Sequence, residues 1–302
     1  MDSSFFFITE SCNREKNSII LLGLILGIQF LAGAPDIFFI TLLGLILFSL
    51  SKDVKRGPYV FALAGLIWIG ITLFQSLPFL EMCSFSTRVN IGTEYSDATV
   101  KSLIPGELFV LFIPIKLPSF LFAQWTVKSY YLGIISFCFI MVGIFYSKRK
   151  LTMFWTCMFL CSILLSLGKY LPFYQLLYEY IPIFSWIRYP IKFFSLTIFS
   201  GAILAGFGAN KLIYENKGLN FIWIFTLIYF ISWLLAWICK DFILSILPNF
   251  NLEWYFINIR SMFLSLIFLS FTFLLLILRK LEYIRIGIFY ISIISIIIVE
   301  TF

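Results

Sequence analysis

Long apolar runs recur from Ile19 to Val299, and no polar stretch between them is long enough to fold as a domain of its own. A bilayer core of about 30 Å is crossed by roughly 17 to 25 apolar residues in a helix. By that measure the pattern predicts about nine spans, at 18–34, 36–51, 58–80, 129–147, 151–168, 191–211, 219–239, 260–279 and 284–301. The predicted fold class is all-α: a polytopic transmembrane helix bundle, one transmembrane domain over residues 1–302, with interfacial or re-entrant segments on the outer face. The first two spans are separated only by Gly33, Ala34, Pro35 and Asp36, which fits either a tight hairpin or a kink in one long helix.

The basic residues arbitrate between these. With nine spans and the N-terminus inside, the inner segments hold Arg14, Lys16, Lys52, Lys55, Arg56, Lys148, Arg149, Lys150, Lys211, Lys217, Arg279, Lys280 and Arg285, which is 13 of the 22 Lys and Arg. The other nine are spread over much longer outer loops, as the positive-inside rule expects. Merging the first pair into one helix reduces the split to 11 against 11. The hairpin is therefore the preferred reading.

Two outer loops follow, 81–128 and 169–190. Within the first, residues 103–123 are long enough to span, but Pro105, Pro114, Pro118, Glu107 and Lys116 interrupt them, so they read as interfacial or re-entrant. The second carries five tyrosines and a tryptophan among prolines, the composition of a short helix lying at headgroup level.

Composition agrees with this picture. Charged residues make up 12% of the chain, against about 25% in ordinary soluble domains, and mean hydropathy is +1.01. The net charge of +7 sits in small clusters between apolar runs, so it reads as topology and argues against a nucleic-acid partner. With no histidine, His-based triads, general bases and metal ligands are excluded. Cys12, Cys83, Cys138, Cys157, Cys161 and Cys239 lie mostly inside apolar runs without metal-ligand spacing and read as small apolar residues. No pattern points to a cofactor. The N-terminus lacks the order of a cleaved signal, so insertion relies on the helices themselves.

Span centres hold almost no ionisable groups, which argues against an ion-coupled transporter. Charges gather instead at the outer ends: Glu81, Arg88, Glu94, Asp97, Lys101 and Glu107 in one loop, and Lys169, Glu179, Arg188 and Lys192 in the next. A wet outer site lined by aromatics and these charges suits a polar headgroup whose acyl chain stays in lipid; the plain alternative is solvated loop charge and snorkelling. Arg188 and Lys192 flank Pro190 at the entry to a span, where two cations suit a phosphate. Glu81 and Arg88 end the third span and equally suit a structural pair. No paired-carboxylate, phosphate-loop or metal motif names a catalytic residue.

The stretch from Gly168 to Phe193 resembles the YfhO-type bacterial membrane proteins, through Gly168, Tyr170, Pro172, Tyr174, Leu177, Tyr178, Pro182, Phe184, Arg188, Pro190, Lys192 and Phe193. Upstream, Gln75, Pro78, Glu81, Ser86 and Arg88 are similar to a second element of that family, as are the run from Tyr130 to Ile134 and the turn from Leu31 to Asp36. That turn departs from the family pattern, with Ala34 in place of His and Asp36 in place of Gln. The resemblance implies a GT-C-like glycosyltransferase of the bacterial cytoplasmic membrane, using a polyprenyl-phosphate sugar on the outer face. Arg188, Lys192, Glu81 and Arg88 are then the substrate-binding candidates.

The family's presumed catalytic acids lie upstream of the matched region, so the resemblance further implies a later transmembrane half. It is then a fragment whose N-terminal half is encoded separately and whose catalytic loop is missing. The other reading is a lipid or polysaccharide transporter or assembly scaffold with no chemistry of its own. In either case the surrounding partner is membrane lipid. If 103–123 does not cross, accessibility tags at Lys101 and Gln124 report the same side of the membrane; opposite sides add a span and invert everything downstream.

Overall fold

A computed structural model describes residues 3–33, 35–52, 56–85, 94–114, 131–181, 184, 188–241 and 252–301. Among them the chain is helical, with no strand. In chain order the helices are α1 (Ser3–Leu31), α2 (Pro35–Lys52), α3 (Arg56–Ser84), α4 (Ile134–Tyr146), α5 (Lys150–Ser166), α6 (Pro172–Tyr180), α7 (Phe194–Tyr214), α8 (Leu219–Ile238), α9 (Leu252–Lys280) and α10 (Ile286–Thr301). Helical turns at Tyr95–Ala98 and 3₁₀ helices at Pro105–Leu111, Gly168–Tyr170 and Pro190–Phe193 lie between them.

Four helical stretches are long and apolar enough to cross a membrane: Pro58–Met82, Pro190–Tyr214, Leu219–Ile238 and Tyr255–Lys280. Shorter apolar helices are Asn17–Leu31, Pro35–Ser51, Ile134–Tyr146, Lys150–Ser166 and Ile286–Glu300. Only 11% of the apolar window in α3 and 17% of that in α8 is buried. Helices this apolar with their side chains turned outward match a hydrocarbon solvent, because in water that surface drives aggregation. The chain has the character of a membrane protein.

By contact the chain forms two compact units, Met1–Ser102 with Leu171–Leu196, and Leu103–Tyr170 with Thr197–Phe302. In the first, α1 and α2 are separate helices, so the breaker cluster makes a turn. Gly33 has a φ of +82°, which an L side chain rarely adopts, and its N–H bonds Phe30 O at 3.1 Å. Pro35 opens α2, where a missing N–H costs nothing. Both helices pack on α3. Gln29 donates to Thr41 Oγ1 at 2.8 Å between them. Their core is aromatic: Phe38 stacks on Trp68 at 4.9 Å between centroids, and Phe30 meets both edge-on.

In the second unit, α9 packs against α8, α10 and α4, and α4 also meets α5 and α8. A core of fully buried residues, including Ile134, Ile135, Val142, Ile222 and Phe289, fills this bundle. Helix α4 starts later than the predicted fourth span because Gly133, at φ +87°, breaks the helix. Its 13 residues rise only about 20 Å. Its N-cap has no side-chain cap of its own. The carboxylate of Glu300 replaces one: Oε1 accepts the Ile134 N–H at 2.7 Å and the Tyr131 hydroxyl at 2.5 Å, and Oε2 accepts the Ile135 N–H at 3.4 Å. The Tyr131 hydroxyl also meets Ser265 Oγ of α9 at 3.3 Å. Ser162 and Thr197 join α5 to α7 through a buried 2.8 Å hydrogen bond, the kind of polar contact that holds helices together in lipid.

The predicted interfacial stretch at 103–123 is described as far as residue 114, and it contains the 3₁₀ helix Pro105–Leu111. Residues 115–130 lie outside the described residues. Helix α6 lies within residues 169–190, the loop expected on the outer side, and buries its own Tyr174 while Phe173, Leu176 and Tyr180 are exposed at helical spacing.

The closest helix crossing sets a test. A Cβ added at Gly208 of α7 falls 1.8 Å from Phe139 O, and one at Gly143 of α4 falls 2.3 Å from Leu204 O, whereas Gly206 faces open space. Backbone cannot yield to such overlap cheaply. Gly208→Ala should cost about 1–3 kcal/mol and lower the melting temperature in detergent. Gly206→Ala should leave the melting temperature unchanged or slightly raised. Equal melting of the two variants rules out the crossing.

Candidate functional site

The first unit gathers cations around one aromatic ring. Two backbone hydrogen bonds stitch distant segments together, Tyr189 N–H to Ala98 O at 2.9 Å and Ile191 N–H to Lys101 O at 3.3 Å. Between them Tyr189 holds φ +74°, a conformation that is costly for a bulky residue and tends to persist where the surroundings enforce it. The enforcing groups are apolar. Phe193 and Tyr174 are wholly buried, Phe184 stacks on Phe193 at 5.7 Å, and Ile191 is buried beside them. Pro190 then opens the 3₁₀ turn that leads into α7.

The strained backbone presents the Tyr189 ring to three side chains. Lys101 Nζ lies 4.6 Å from the ring centroid, Arg188 Cζ 4.7 Å and Lys192 Nζ 5.5 Å. Arg188 Nε is buried without a hydrogen-bond partner. Lys192 forms an ion pair with Asp36 in the first turn of α2, both side chains being about 30% exposed or slightly less. Among the described residues neither Lys101 nor Arg188 has a carboxylate in ion-pair range. Three positive charges therefore face one negative charge.

Beside this cluster, Tyr95 meets Tyr178 of α6 edge-on at 5.5 Å. Burial raises the phenol of Tyr95 above its ordinary value, and the nearby Glu179 charge adds to the effect. Burial likewise raises Tyr174 and Tyr178. These phenols stay neutral at physiological pH and contribute aromatic faces, not charge. The arrangement can bind an anion by charge and by the planar donor fork of Arg188.

Of the residues read from the sequence, Arg188 and Lys192 are brought together. Glu81 sits exposed near the end of α3, its carbonyl accepting Ser84 Oγ at 2.6 Å, and makes no ion pair among the described residues. Arg88 lies outside the described residues. Lys101, one of the outer-loop charges of the sequence reading, and Asp36 complete the cluster, although neither was among its substrate-binding candidates. No group of metal-binding side chains occurs among the described residues.

Taken together, the fold and the site define an all-helical chain with four helices long and apolar enough to cross a membrane, carrying a cation cluster on an aromatic platform. Compared with known proteins, the chain matches no family model, no curated protein and no solved structure.

Proposed function

We propose that this chain is the transmembrane part of a glycosyltransferase-like protein that holds a polyprenyl-phosphate sugar at the outer face of the bacterial cytoplasmic membrane. Its nine apolar helices cross the bilayer with the Lys- and Arg-rich loops inside. The observation that carries the reading is the excess of cations around Tyr189 among the described residues: Lys101, Arg188 and Lys192 against the one carboxylate of Asp36. A phosphate ester or diphosphate is the anion that matches this charge, and the resemblance of the Gly168 to Phe193 segment to YfhO-type proteins supplies the lipid carrier. Tyrosine-rich α6 suits the headgroup level, where the lipid phosphate lies.

In this reading Arg188 makes paired hydrogen bonds to phosphate oxygens, Lys101 and Lys192 act as point charges, and Asp36 competes with the ligand for Lys192. A scaffold without a carrier-lipid site makes the opposite forecast, that these cations only anchor helix ends. Binding of a short-chain polyprenyl phosphate to the chain in nanodiscs separates the two. Arg188→Lys should weaken binding by roughly ten- to hundredfold, equivalent to about 1.5–3 kcal/mol, without lowering the melting temperature. Asp36→Asn should tighten it by releasing Lys192. Equal affinities for wild type, Arg188→Lys, Arg188→Ala and Asp36→Asn rule out the phosphate site.

A further inference from the structure

The second unit carries a carboxyl group that no part of the proposed function uses. Glu107 lies in the 3₁₀ helix Pro105–Leu111 and is 2% exposed, with Val110, Leu111 and Leu103 buried around it in sequence. Oε2 accepts the Ile104 N–H at 2.9 Å. Among the described residues Oε1, which is buried, has no hydrogen-bond partner. The other described acids are placed differently. Glu81, Glu94, Asp97, Glu179, Asp241, Glu253 and Glu282 are exposed, Asp36 and Glu215 pair with lysines, and Glu300 is shared between Tyr131 and the first amides of α4.

An ionised carboxylate with one oxygen buried and unpaired is among the costliest groups a fold can hold, whereas a neutral carboxyl leaves only an uncharged oxygen unpaired. The missing partner is therefore of a definite chemical kind. We propose that Glu107 is a proton-binding site, a carboxyl whose buried, unpartnered oxygen is held in the protonated acid while the segment from Leu103 to Ile113 keeps it from water.

Three features support this. The segment is held by hydrogen bonds at both ends: Leu103 N–H to Ser166 O at 2.9 Å, and Leu132 N–H to Leu111 O at 3.1 Å. Closing it removes Glu107 from water. The titratable groups on the elements that hold it are Lys150, Cys157 and Cys161 on α5, Lys169 and Tyr170 beyond it, Cys138 and Tyr146 on α4, and Tyr131 with Glu300 at the start of α4. None of these forms an ion pair or hydrogen bond with Glu107 that would stabilise its anion. Burial accordingly pushes its carboxyl above the ordinary value, and the Ile104 N–H offsets this only in part. For an acid raised in this way the closed state binds the proton more tightly than the open one. Closure is therefore favoured as pH falls and weakened as pH rises through the raised value.

Dicyclohexylcarbodiimide, an apolar reagent that attacks protonated carboxyl groups, tests this on the full chain in nanodiscs, with adducts mapped by peptide mass spectrometry. At pH 7 Glu107 should be labelled several-fold more than Glu81, Glu94 or Glu179, since a carboxyl raised above its ordinary value holds more of its proton there. Labelling should fall as pH is raised. A water-soluble carbodiimide with an amine should give the reverse preference. Infrared spectra should show a protonated-carboxyl band at pH 7 that Glu107→Gln removes. If that variant does not fold, the site-mapped labelling and infrared pH titration of the wild type decide alone. Labelling of Glu107 no stronger than that of Glu81 at pH 7, or a band unchanged in folded Glu107→Gln, overturns the proposal.

Discussion

An apolar solvent accepts no unpaired backbone amide, and this constraint governs the whole chain. Helices satisfy it along their length but not at their ends, where the first amides and last carbonyls have no partner within the helix. The chain meets the problem with groups brought from a distance. Glu300 of α10 caps α4 across 166 positions of sequence, and a 3₁₀ turn beginning with Pro190 leads into α7 without an amide to satisfy. The irregular backbone around Tyr189 is stitched to residues 98 and 101 by its own amides. Where the ends are settled in this way, the helix faces need only match the surroundings, and α3 and α8 turn most of their apolar side chains outward.

Most of the helical pattern was legible in the sequence, because period and polarity act locally. Each predicted span from 18–34 to 284–301 coincides with an apolar helix, and the breaker cluster at Gly33 is a turn. Helix limits were less legible. Gly133 shortens α4, and α9 begins at Leu252, eight residues before the predicted span, because interfacial polarity does not end a helix once capping and packing support it. The division into two compact units depends on long-range packing, which no local pattern reports.

The site was legible in part for the same reason. Arg188 and Lys192 were recognised because they flank one proline and face one end of a span. Lys101 joins them only through hydrogen bonds between segments about ninety residues apart, and the carboxylate at Asp36 that occupies Lys192 comes from the first hairpin. The charge of the cluster is set by these long-range partners. A local reading therefore joined Arg188 to Lys192 but could not show that Lys101 and Asp36 meet them.

The cap on α4 also imposes an order on biosynthesis. Ile134 and Ile135 leave the ribosome some 165 residues before the carboxylate that binds their amides. Through the synthesis of α5, α7, α8 and α9 the start of α4 has no native cap, so it must stay near water or borrow a temporary partner. The second unit can close only after α10 has been made, a late step that couples residues 286–301 to the middle of the chain.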